Sequence, residues 1–136
     1  MAERRAIAAG AAALLAVAVV GGGYAADHFV SHRNAEDRAA ALTGGDPLAG
    51  KAAIGRRPCG GCHVIPGVPG AKGRVGPPLT AFAGRGYIAG RAANQPDALI
   101  RFLQDPQSID PQTAMPPMGI DAAEARDIAA YLYTLG

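Results

Sequence analysis

The stretch "RRPCGGCHV", residues 56–64, holds both cysteines of the chain, two residues apart, with His63 directly behind the second. A disulfide between Cys59 and Cys62 would close a very small ring and staple nothing distant. A thioredoxin-like dithiol wants a strand–helix setting, and no strand signal is visible. Structural zinc wants four ligands, whereas the chain offers two cysteines and three histidines in all. What remains is C-x-x-C-H as an attachment site for c-type haem. Two thiols on one short turn reach the two vinyl-derived carbons of a single macrocycle, and the adjacent histidine can ligate its iron. The spacing therefore predicts one covalent haem c, with Cys59 and Cys62 as thioether anchors and His63 as an iron ligand.

The surrounding sequence fits a small helical domain short of its own core. Asp46 is a plausible N-cap with Pro47 behind it, and the helix they start should run to about Arg57, where Pro58 stops it. "QPDALIRFLQ" (95–104) gives a second helix. "DAAEARDIAAYLYTLG" (121–136) gives the clearest one. Asp121 and Glu124 make a capping-box-like start there, and Ala125, Ile128, Ala129, Leu132 and Leu135 share one face. Residues 64–93 read as loop, broken by Pro66, Pro69, Pro77, Pro78 and many glycines. The fold class is all-α. With no Trp and three Phe, such a chain buries little apolar surface, so something apolar must fill the middle. A haem would do it.

A second axial ligand must come from the opposite side. Met115 and Met118 in "PQTAMPPMG" (111–119) are the candidates, with His28 and His32 as outsiders. A methionine is more often a core filler, but these two lie in a proline-stiffened loop rather than on a helix face. His28 and His32, at i and i+4, are conceivable as a metal pair, although two lone imidazoles in a polar linker are usually plain solvated side chains.

Residues 6–26, "AIAAGAAALLAVAVVGGGYAA", carry no charge over 21 positions, long enough at about 1.5 Å per residue to match a hydrocarbon core of ~30 Å. Arg4 and Arg5 precede it and Asp27 follows, so the positive-inside rule puts the remainder of the chain across the membrane. A cleaved signal peptide has the same grammar, with its best cut after Ala25. The organisation expected is an N-terminal signal-anchor or signal peptide (1–26), a polar linker (27–45) and a haem domain (46–136). Within the linker "AEDRAAAL" (35–42) fits a helix stopped by Gly44-Gly45, while as a flexible coil the whole linker would span about 25 Å. Net charge is only +2, without aromatic–basic interleaving, which argues against a nucleic-acid partner.

Residues 46–136 resemble a class I (mitochondrial-type) cytochrome c. "GDPLAGKAAI" (45–54) resembles the family's N-terminal helix, with Gly50 near the crossing of the terminal helices. "GPPL" (76–79) resembles its G-P-x-L, which implies that the Pro77 carbonyl accepts a hydrogen bond from His63. "GRGYIAG" (84–90) resembles the segment whose arginine, here Arg85, approaches a haem propionate. "FLQDPQSIDPQTAMP" (102–116) resembles the run ending in P-x-T-x-M, which implies Met115 as the axial ligand and leaves Met118 as the fallback. "DIAAYL" (127–132) resembles the C-terminal helix, with Tyr131 as its packing aromatic. Two departures stand out. The family's propionate-side tryptophan aligns near Asn94 and its pocket tyrosine near Phe102, so propionate contacts fall to Arg85, Tyr87 and Arg91.

The resemblance implies a one-electron carrier rather than an enzyme, working in a respiratory chain of the bacterial inner membrane with its haem domain in the periplasm. If the leader is cleaved, the carrier is a soluble periplasmic one. Similarity of the 87–117 region to domains associated with haem-copper oxidases points to redox proteins of the membrane as partners, a terminal oxidase among them. The haem edge is expected beside Arg56, Arg57 and Lys72, a mildly basic rim. The competing readings are a haem-bearing docking subunit and a ligand-binding or sensor cytochrome with a displaceable distal methionine.

Overall fold

The computed structural model describes the backbone of residues 2–136 and the side chains from Leu14 onward. The side chains of Arg4 and Arg5, on which the orientation rests, lie outside the described residues. The chain divides into two compact units, one ending at Asn34 and the other comprising Ala35–Gly136.

Helix α1 runs Ala2–Thr43. The helix expected over "AEDRAAAL" (35–42), built almost wholly from strong helix formers, is present and is continuous with the whole polar segment after Asp27, so no part of that segment is coil before Gly44. The helix stops where Gly44 takes a left-handed backbone (φ 68°) and its N–H reaches the Ala40 carbonyl at 2.8 Å. In the first unit Leu14, Leu15, Val17, Val19 and Val20 are all exposed. By length and composition this helix could cross a membrane; a signal sequence meets the same criterion. The last turns of α1 belong to the second unit, where Ala39 and Thr43 are buried.

The second unit is organised by two helices, α2 (Pro47–Arg56) and α5 (Ala122–Tyr133), which pack against each other more extensively than any other pair. Both start on aspartate. Asp46 accepts from the N–H groups of Leu48 and Ala49, and Asp121 from those of Ala123 and Glu124. The capping box is only half made, since the Glu124 carboxylate turns to Arg57 instead of back to its own helix. Gly50 sits where the helices cross, and a Cβ there would run into the Asp127 carbonyl. The Asp46 N–H donates to the Asp127 carboxylate at 2.8 Å and ties the start of α2 to the middle of α5. Ile54, Ile128 and Ala129 lie buried beneath.

Between them come the single turn α3 (Cys59–Cys62), a long loop, and helix α4 (Pro96–Gln104), whose Leu99 and Leu103 are buried and which packs on α5. The expectation of no strands fails in one place. Tyr87–Ile88 (β1) pairs antiparallel with Ala92–Ala93 (β2) across a turn in which Ala89 and Gly90 both have positive φ. Two-residue strands leave no alternation to read in a sequence, and the fold is otherwise helical.

Candidate haem site

Pro58 ends the preceding helix run, and the chain then makes one turn in which the His63 N–H reaches the Cys59 carbonyl at 3.0 Å. That turn brings Cys59, Cys62 and His63 together at one corner. Both thiols are free and half-buried. Burial pushes the Cys59 thiol up. The following loop doubles back over the turn. The N–H groups of Gly73 and Gly76 donate to the carbonyls of Gly60 (3.0 Å) and Cys62 (2.8 Å), and Leu79 N–H to that of Val64 (2.7 Å).

His63 is held on two sides. Its Nδ1 lies 2.7 Å from the Pro77 carbonyl. A carbonyl can only accept, so Nδ1 carries the proton and Nε2 keeps its lone pair. The ring also lies against bare backbone at Gly76, where a Cβ would sit 2.7 Å from Nδ1 and 2.9 Å from Nε2. Any other residue at 76 would push the imidazole away.

The methionine loop packs on the same unit. Met115 and Met118 are half-buried and pack on the same core as Cys59, Leu79, Ile100 and Phe102. Met115 N–H donates to the Thr113 hydroxyl at 3.3 Å, and its carbonyl accepts from Gln107 Nε2 at 2.9 Å. Gln107 Oε1 is buried without a hydrogen-bond partner. The Met118 carbonyl accepts from Arg57 at 2.6 Å.

Arg57 thus departs from its expected place on an exposed basic rim. It is half-buried, fork-bonded to Glu124, and committed to the Met118 and Gly119 carbonyls. The hydrogen bond with Glu124 raises the guanidinium pKa and holds the Glu124 carboxyl below its ordinary range. Arg56 and Lys72 remain exposed. Arg85 donates to the carbonyls of Pro78 and Thr80 and lies over the Phe82 ring. Arg91 pairs with Asp110 at 3.4 Å, and Tyr87 is exposed. Tyr131 donates to the Pro66 carbonyl at 2.6 Å, fixing the loop behind His63 to α5.

Asn94, flagged only as a departure, is a hub. Its amide donates to the carbonyls of Phe82 and Arg85, both at 3.1 Å, while Tyr133 donates to its oxygen at 3.0 Å. Gln107 and Glu124 also went unread as site residues. No local pattern marks them, because each partner lies in another element. His28 and His32 sit side by side on α1, ring centroids 5.5 Å apart, and among the described residues no group of three or more metal-binding side chains exists.

The donor set fits a covalently held haem. Two free thiols and an imidazole hydrogen-bonded through Nδ1 share one turn, and Gln107, whose amide holds the Met115 carbonyl, has a buried oxygen with no hydrogen-bond partner. These features define a domain for one thioether-anchored macrocycle. The family model for cytochrome c matches residues 48–136, and the chain belongs to the cytochrome c family. Its cofactor is haem c, one per domain and covalently attached, and its chemistry is haem-based electron transfer. No curated protein and no solved structure gives a match.

Proposed function

We propose that the chain is a class I, membrane-tethered one-electron carrier of a bacterial respiratory chain. The observation that carries this reading is the pre-set His63, one residue beyond two free thiols, with its proton fixed on Nδ1 by Pro77 at 2.7 Å. Cys59 and Cys62 hold the haem by thioethers, and His63 with Met115 are the iron ligands. When bound, the haem supplies the reversible one-electron couple. The chain's own residues do the rest. Pro77 orients the imidazole and fixes its tautomer. Met115, from a loop stiffened by Pro111, Pro116 and Pro117, supplies a weakly donating thioether that raises the potential. Leu79, Ile100 and Phe102 exclude water, which also disfavours the more highly charged oxidised state. Arg85 would supply positive charge for a haem propionate.

The apolar segment of α1 retains the domain at the outer face of the inner membrane, in the periplasm, where its partners are membrane redox complexes, a terminal oxidase among them. Retention raises its effective concentration near those complexes. A methionine loop where a sensor or peroxidase would need an open polar site favours a carrier over an enzyme. Ligation is tested by optical spectroscopy of Met115→Ala and Met118→Ala holoproteins. Met115→Ala should lose the weak red thioether-to-ferric charge-transfer band, lower the potential and admit carbon monoxide. The reverse pattern reassigns the ligand to Met118.

A further inference from the structure

The segment from Ile109 to Asp121 carries both methionines and contains no helix or strand. Pro111, Pro116 and Pro117 have no N–H to donate, which leaves the carbonyls as the points at which outside side chains can hold the methionine stretch. Two side chains from outside do so. Gln107 takes the Met115 carbonyl on one flank, and Arg57 takes those of Met118 (2.6 Å) and Gly119 (3.4 Å) on the other. Arg57 stands two residues before Cys59. It therefore links the methionine loop directly to the turn that carries the anchor cysteines.

We propose that Arg57, oriented by Glu124, is a positioning residue for the distal methionine, clamping the methionine loop to the haem-attachment turn. The proposal rests on the His63/Met115 reading. Arginine is suited to the task because its planar fork serves several acceptors at once. Nε and Nη2 meet the two carboxylate oxygens of Glu124, while Nη1 and Nη2 meet the loop carbonyls. Glu124, in the first turn of α5, neutralises the guanidinium and sits where the helix dipole favours a carboxylate. Three elements thus meet at one side chain: the end of α2 with its attachment turn, the methionine loop, and α5. A lysine at 57 would keep the charge but could not span carboxylate and carbonyls together.

The test uses full-length holoprotein carrying Glu124→Gln, which is isosteric, or Arg57→Lys, which keeps the charge. Two quantities are read: the rate at which imidazole displaces the distal ligand, and the temperature at which the thioether charge-transfer band fades relative to far-ultraviolet circular dichroism. Both variants should exchange about tenfold faster or more, the effect of losing one charge-assisted hydrogen bond. Their band should fade before the helices melt. An unchanged imidazole rate in both, with band and helices lost together at a lower temperature, would overturn the proposal and leave Arg57 as a staple between α2 and α5. A parent protein with no such band, or one already open to imidazole, would overturn the ligation reading and the proposal with it.

Discussion

The crossing of α2 and α5 makes opposite predictions for two glycines of one helix. Gly→Ala inside a helix gains up to about 1 kcal/mol when the methyl group has room. At Gly55 it has room, with nothing within 4 Å of the added Cβ. At Gly50 the Cβ would overlap the Asp127 carbonyl and lie 2.9 Å from the Ile128 nitrogen. These are backbone atoms and cannot rotate away, so the helices must part. Overpacking of this kind costs ~1–3 kcal/mol. Parting the helices also loosens Ile54 and Ile128, each 2% exposed, at about 0.8 kcal/mol per methylene uncovered. Gly50→Ala should therefore be destabilised by about 2 kcal/mol net, and Gly55→Ala should be neutral or slightly stabilised. In a domain of this size 2 kcal/mol corresponds to roughly 8–16 °C in Tm. Urea unfolding of the two holoproteins, followed by circular dichroism, measures the gap. Equal midpoints, or Gly50→Ala the more stable, would refute the close-approach argument.

Further outcomes follow from single contacts. Tyr131→Phe deletes the 2.6 Å hydrogen bond to Pro66 and leaves that carbonyl short of a partner. The urea midpoint should fall by the equivalent of about 1–2 kcal/mol, with the helical content unchanged. Glu124 predicts a pH dependence. Arg57 holds its folded pKa below the ordinary range, so the unfolded chain takes up the proton first. The stability it confers is present above the unfolded value, about 4.3, and is lost as pH falls through the lower folded value. Urea midpoints between pH 7 and pH 3 should show Glu124→Gln with a flatter acid limb than the parent.

Much of the second unit was legible because its determinants are local. The C-x-x-C-H spacing, Asp46 and Asp121 as caps, Pro58 as a stop and the apolar face of α5 each act within a few residues of themselves. What escaped depends on partners chosen by tertiary packing. Arg57 beside Arg56 reads as surface charge, and nothing nearby announces a carboxylate 67 residues away. Glu124 reads as half of a capping box for the same reason. Asn94 gains its role only once Tyr133 and the Phe82–Arg85 backbone are brought to it. In the polar run after Asp27 the helix over "AEDRAAAL" and its stop at Gly44 are legible; that the helix continues unbroken from the apolar segment before it is not, because charge there suits a spacer as well as a helix.

The central claim is covalent haem on Cys59 and Cys62, and intact-mass spectrometry of the protein produced in cells with haem-attachment machinery tests it most directly. The mass should exceed that of the polypeptide by one haem, and proteolysis should leave all of the added mass on the peptide containing residues 59–63. Cys59→Ala with Cys62→Ala should abolish the addition. A chain of bare polypeptide mass, or one carrying only a zinc ion, would contradict the claim.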